Sequence, residues 1–415
     1  MLWRSDNSFH NTRTLYLFFV VVIAIVDMAD AAMGYISPIY LEKITGSSTE
    51  MGLILATSST AGIICDFLFA KYFPQKKSGF FLTILFSLVF FFPLSLLVFH
   101  SIPAALFGMV MWGIYFEGMV FANFHAIHER VAAADHGWAW GTASILRNIA
   151  WIIGPLLATT LIAVEDILPL RVAIGIYAFG LVIAGLYVWV TSGKKHHEHH
   201  AEQVVSRSFG TELAVWKKYG RVIWPLLVLN ILFYIIESAF FSVGPLFAEH
   251  LKAQNIWGGS FVSMYSIPGL VAGFLVMSLA KPFGKKRLAY SAGILAGLGL
   301  VAVSITSSVG MILMLTFIAS IGLCLLQPAL SAVFEDFIAR SGATGNDLIG
   351  LTAMSGSFAY IIGPILNGVL NDQFGEQAVF GIWGAVLVIY SVALFFIVKR
   401  KVKLPQAEVV VVISS

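Results

Sequence analysis

Twelve apolar stretches, each long enough to cross a bilayer, fill this chain of 415 residues, and the second six repeat the first six at an offset of 209–210. The clearest echo sets Trp151-Ile152-Ile153-Gly154-Pro155 against Tyr360-Ile361-Ile362-Gly363-Pro364. A second sets the stretch from Ala70-Lys71 to Lys77 against that from Ala280-Lys281 to Arg287. A membrane chain built from two copies of a six-helix unit has a pseudo-twofold axis, and such repeats mark secondary transporters.

Composition closes the other routes. Apolar residues make up 59% and charged residues 11%, with a mean hydropathy of +0.88, whereas soluble domains carry roughly 25% charged residues. Twelve spans of about 20 residues leave no room for a separate catalytic domain, so an enzyme is not expected. The apolar run after Arg13, about 25 residues long, exceeds a signal-peptide core and stays as the first helix. Cys65 and Cys324 lie in apolar segments of different halves and read as small buried hydrophobes. No G-x-x-x-x-G-K-[ST] loop is present, so ATP is not the direct energy source. His125, His128 and Glu129 do not follow the H-E-x-x-H order, and neither a metal nor any other cofactor is expected.

The helices are expected at 14–40, 50–71, 79–99, 102–126, 139–163, 168–191, 222–248, 257–281, 287–306, 309–334, 346–370 and 376–398. All but four of the 25 basic residues then fall on one side; Lys43, Arg171 and Lys252 lie on the other and Arg147 lies within a helix. By the positive-inside rule that side is the cytoplasm, and both termini lie there. The net charge of +3 follows from this loop bias and implies no nucleic-acid partner. The expected organisation is an N-terminal bundle over 1–191, a cytoplasmic linker over 192–220 and a C-terminal bundle over 221–415 with a short tail. The linker carries His196, His197, His199 and His200, read as solvated, and then a helical-looking run from Thr211 to Tyr219.

Over nearly its whole length the chain resembles the major facilitator superfamily. The resemblance rests on two six-helix bundles, a longer linker and a loop motif after the second helix of each half. The tail Gly284-Lys285-Lys286-Arg287 fits that motif; Lys71 and Lys281 stand where the family has Asp, and Asp66 is a displaced candidate. Gly154-Pro155 in helix five is similar to the core of the antiporter motif of the superfamily's proton-driven drug exporters. The resemblance implies an all-α fold of twelve transmembrane helices, a monomer in the cell membrane, and transport by alternating access. It also implies that helices one, four, seven and ten face the substrate.

A charge near the bilayer centre costs at least about 2.5–3.5 kcal/mol on insertion scales, so Asp27, Asp30, Glu117, Arg147 and Glu237 are functional candidates. The repeat maps Asp27 onto Glu237 and Glu117 onto Gln327. On a rise of 1.5 Å per residue, Glu117 and Arg147 lie roughly 13 and 12 Å from the cytoplasmic side, so a salt bridge between them is expected, either structural or working. Asp27 and Asp30 are three apart on one face and would share a proton. The paired prolines, Pro155 and Pro364, each free a carbonyl one turn earlier and would let the halves rock.

The leading expectation is proton-coupled efflux of small amphipathic or cationic compounds, with aromatic walls that include Trp112, Tyr115, Phe116 and Tyr234. The alternative is uptake of a sugar, organic acid or other small metabolite by proton symport or facilitated diffusion. It would lean on Arg147, Gln327, Asn148, Asn230 and Asn367.

Overall fold

The computed structural model describes residues 6–72, 78–132, 135–191, 209–271, 278–279, 282–398 and 404–406. Of Asp66 and Lys71 only the backbone is described, and the histidines of the linker lie outside the described residues. The described residues form thirteen α-helices and no strand, and ten of the helices are long and apolar enough to cross a membrane. Large apolar side chains stand outward on them, Phe396 at 85% and Trp189 at 76% exposure among them. In water such faces would aggregate; in a bilayer they meet acyl chains. The chain is a multi-pass membrane protein.

The chain divides into two compact units, Met1–His199 and His200–Ser415. The first holds α1 (Asp6–Thr45), α2 (Ser48–Tyr72), α3 (Ser78–Phe99), α4 (Ile102–Arg130), α5 (His136–Ile162) and α6 (Leu168–Thr191). Local chemistry sets the α1–α2 corner. Gly46 takes φ +73, the left-handed conformation that glycine adopts without penalty, and its N–H closes on the Glu42 carbonyl at 2.7 Å. Ser47 Oγ then accepts from the N–H groups of Thr49 and Glu50, capping α2.

The second unit holds α7 (Phe209–Ser242), α8 (Gly244–Gln254), a 3-10 turn (Ile256–Ser260) and α9 (Phe261–Ser266). After these come α10 (Lys285–Ser304), α11 (Val309–Ser341), α12 (Gly345–Phe374) and α13 (Glu376–Ile397). Two boundaries differ from expectation. α7 begins at Phe209, because the helical run expected over 211–219 continues without a break into the seventh span. The same span then breaks between Ser242 and Gly244. Pro245 has no N–H for the Phe241 carbonyl, while Ser238 Oγ and Ser242 Oγ each donate to a backbone carbonyl one turn back. Val243 N–H still reaches Ala239 O at 3.0 Å, so the break is a bend. The expected eighth helix, 257–281, opens as the 3-10 turn and α9, and residues 272–277 and 280–281 lie outside the described residues.

Packing reproduces the sequence repeat. In the first unit α1 lies on α5 and α6, α3 on α4 and α6, and α2 on α4. In the second, α7 lies on α12 and α13, α10 on α11 and α13, and α9 on α11. The two glycine–proline pairs sit at equivalent crossings. A Cβ on Gly154 would come within 2.5 Å of Ala31 Cβ and 2.9 Å of the Ala32 nitrogen, and one on Gly363 within 2.3 Å of Ser238 Oγ. These glycines let α5 close on α1 and α12 on α7, as small residues do in membrane helix pairs. Both helices run unbroken through Pro155 and Pro364.

Candidate functional site

α4 and α5 scarcely touch, and the gap between them, backed by α1, is a recess of about 240 Å³. Each helix offers it one stripe at helical spacing. α1 presents Val20, Ile23, Ala24, Asp27 and Asp30; α4 presents Tyr115, Phe116, Met119 and Asn123; α5 presents Trp140, Ala143, Ser144 and Arg147. The lining is mixed: apolar side chains alternate with Asp27, Asp30, Asn123, Ser144 and Arg147, more polar than a typical drug-sized pocket.

The charges in the recess are unevenly served. Asp30, 1% exposed, accepts a hydrogen bond from Trp112 Nε1 of α4. Asp27 is 6% exposed and, among the described residues, takes neither a hydrogen bond nor an ion pair, yet it shares the recess with Arg147. The Arg147 guanidinium lies 4.9 Å from the centre of the Phe116 ring, a cation–π contact worth about 0.5–2 kcal/mol. Among the described residues it has no hydrogen-bond acceptor and no carboxylate within 4.0 Å. Its charge is felt at Asp27, Asp30 and Glu117 alike.

The expected Glu117–Arg147 salt bridge therefore does not form. Matching depth put the two residues level, but Glu117 is one residue past Phe116, a turn of about 100° around the helix. Its side chain lies instead over α2, where a Cβ on Gly62 would stand 2.6 Å from Glu117 Cγ. Gly62 serves this close approach of α2 and α4. Among the described residues, two further polar atoms beside the recess have no hydrogen-bond partner: the Tyr115 hydroxyl and Asn123 Oδ1. The Tyr177 hydroxyl of α6, in edge contact with the Tyr115 ring at 6.5 Å, is likewise buried and unserved. Asn123, Ser144 and Tyr177 are additions to the sequence reading.

In the second unit Glu237 is clasped rather than open. The hydroxyls of Tyr265 (α9) and Tyr360 (α12) donate to its two oxygens at 3.1 and 2.5 Å. Tyr265 is stacked on Phe240 at 4.1 Å, and Tyr360 lies against Tyr234 at 5.5 Å. Gln327, half-buried, donates to Ser331 Oγ at 3.2 Å and interacts with the Tyr234 hydroxyl. Asn230 and Asn367 serve packing: Asn230 donates to Ser355 Oγ at 2.9 Å, while Asn367, fully buried, donates to Ser238 Oγ and accepts from Trp383 Nε1. Removing one clasp, Tyr360→Phe, is expected to lower the stability of the second unit by about 1 kcal/mol, the range of hydrogen bonds between membrane helices. Thermal unfolding in detergent reads this, and an unmoved midpoint would mean that the phenol does not hold the carboxylate.

The loop-motif residues hold helix ends. Gly284, at φ +80, turns the chain into α10. Lys285 Nζ then donates to Asp336 Oδ1 at 2.6 Å and to the Ala332 carbonyl of α11 at 3.2 Å. Lys286 lies over the Phe337 ring at 5.6 Å, and Arg287 is exposed. In the first unit the corresponding tie is Glu129, which accepts from both the N–H and the hydroxyl of Ser78 and so joins the end of α4 to the start of α3.

The family model described as Major Facilitator Superfamily matches residues 17–346 and 258–411. No curated protein matches the chain. Among solved structures, the nucleoside transporter NupG is similar at 13% identity and a TM-score of 0.75, over 93% of this chain and 100% of that one. A POT family transporter in complex with 5-aminolevulinic acid is similar at 13% identity and a TM-score of 0.68, over 92% and 96%. The human organic anion transporter MFSD10 is similar at 14% identity and a TM-score of 0.63, over 92% and 99%. At these identities the likeness is one of fold.

Proposed function

The chain belongs to the major facilitator superfamily, and from that membership we propose that this transporter carries small organic acids, one or more protons moving with each anion. The observation that supports this reading is Arg147. A guanidinium keeps its charge at any physiological pH, and placing it inside the membrane costs at least about 2.5–3.5 kcal/mol on insertion scales. Arg147 is half-buried, and arginines within the membrane are ordinarily paired. Among the described residues the one neighbour that compensates the charge at contact is the Phe116 ring, which leaves the planar fork of donors for an anion of the solute.

Two features count against export of amphipathic cations. The Phe116 ring, on which a cationic solute would stack, is already engaged by Arg147, and a second cation in the recess would face that permanent charge. The recess of about 240 Å³ also falls below the roughly 300–1,000 Å³ of pockets that engulf drug-sized ligands. A metabolite-sized carboxylate suits both. Asp30 is the proton carrier in this reading: it lines the same recess three residues from Asp27 and lets a proton cross with the solute carboxylate, while Asp27 stays the carboxylate that faces the solute. Proton and anion then move together. Glu117 in the first unit and Glu237 and Gln327 in the second are further coupling or substrate candidates, and the close crossings at Gly154-Pro155 and Gly363-Pro364 are pivots within each unit in alternating access. Basic residues gathered on one set of loops support cytoplasmic termini.

The test uses the full-length protein in liposomes with an imposed pH gradient and a lumenal pH dye. Short-chain and aromatic carboxylates are expected to drive proton movement and to accumulate, and Asp30→Asn to uncouple the two. A response to lipophilic cations or sugars with silence to every carboxylate would overturn the reading.

A further inference from the structure

Two opposite charges share one recess in the first unit without pairing. Asp27 on α1 and Arg147 on α5 both line it, no ion pair joins them within 4.0 Å, and neither has a hydrogen-bond partner among the described residues. The nearby Asp30 differs: it lines the same recess but is committed to Trp112 Nε1. The recess therefore presents one acceptor of negative charge and one donor fork of positive charge, and Ile23 and Leu146 are among the apolar side chains that line it with them.

Resting on the organic-acid reading above, we propose that the preferred solute is a zwitterion, a small amino-carboxylate whose carboxylate sits on Arg147 and whose ammonium sits on Asp27. A simple carboxylate satisfies Arg147 but brings a second negative charge beside Asp27. An amine alone satisfies Asp27 but is repelled by Arg147. An amino-carboxylate serves both and adds no net charge to a site inside the membrane, where each uncompensated charge is costly. Asn123, whose buried amide oxygen has no hydrogen-bond partner among the described residues and lies on the same stripe of α4 as Phe116 and Met119, supplies a further acceptor that an N–H of the solute can reach once the helices shift.

The experiment is competition for uptake into proteoliposomes by three matched series: amino acids with the amine two to six carbons from the carboxylate, the same acids without the amine, and the same amines without the carboxylate. In the unmodified protein one chain length of amino acid is expected to compete about 10–100-fold better than its des-amino counterpart, the worth of a hydrogen-bonded charge pair. Asp27→Asn is expected to bring the two to the same level, and Arg147→Gln to abolish competition by both. Equal competition with and without the amine, or a preference that survives in Asp27→Asn, overturns the zwitterion while leaving the organic-acid reading in place. If no carboxylate of either kind competes with a sugar or cation that the folded protein does transport, the organic-acid reading falls, and the zwitterion with it.

Discussion

Arg147→Gln is expected to leave the chain folded and inserted while lowering carboxylate transport about 100-fold or more. A bidentate guanidinium–carboxylate contact in a site screened from water is among the stronger polar contacts available, about 1.5–3 kcal/mol for each hydrogen bond to a charged group. Glutamine keeps the length of the side chain but offers neither the charge nor the fork. Stability is expected to move the other way. Arg147 has no ion-pair partner among the described residues and gains only a contact with Phe116, so its removal takes an undercompensated charge out of the membrane interior. A melting midpoint in detergent that is unchanged or raised, together with collapsed flux, is the pattern of a residue kept for function at some expense of stability. Arg147→Lys keeps the charge without the planar fork and is expected to fall between the two. Loss of folding in step with loss of transport would make Arg147 a structural residue, and full transport by Arg147→Gln would remove the basis of the organic-acid reading.

Most of the fold was legible because a bilayer leaves a chain few options. The apolar runs gave the spans, and the 209–210 offset gave a helix-pairing scheme that both units repeat. The misreadings lie where one proline or one serine decides. The seventh span bends at Ser242–Pro245 because proline removes a donor and serines draw off carbonyls, and hydropathy averaged over a span cannot register either. The site was half legible. Charge alone picked out Asp27, Asp30 and Arg147, and all three line one recess. Depth alone paired Glu117 with Arg147 wrongly, since depth ignores rotation about the helix axis. Stepping back from Arg147 by three, four and seven residues reaches Ser144, Ala143 and Trp140, the rest of its stripe on α5. The same steps along α4 join Phe116, Met119 and Asn123 and leave Glu117 off the stripe. Tyr177 had no signal of this kind, because only the packing of α6 brings its hydroxyl beside Tyr115.

Gly113→Ala is expected to be the most damaging single-methyl change in the first unit. A Cβ at that position would stand 1.9 Å from the Ser58 carbonyl oxygen, 2.6 Å from its carbon and 2.8 Å from Ser58 Cα. All three are backbone atoms, so no rotamer relieves the clash and α2 must move more than 1 Å away from α4 to reach the 3.0 Å that real Cβ atoms respect. Overpacking of this kind costs about 1–3 kcal/mol and more where the backbone is the obstacle, and a loss at or above the top of that range is expected here. The consequence extends to transport, because α4 carries Tyr115, Phe116 and Asn123 into the recess two to ten residues further on. Gly141 on α5 is the matched control. A Cβ there meets nothing within 4 Å, so Gly141→Ala is expected to be neutral or to gain up to about 1 kcal/mol from helix propensity. Thermal unfolding in detergent and uptake in liposomes, measured side by side on the two variants, separate the cases. A Gly113→Ala protein as stable as Gly141→Ala would mean that α2 and α4 do not meet at Ser58, and the position assigned to α4 would have to be redrawn.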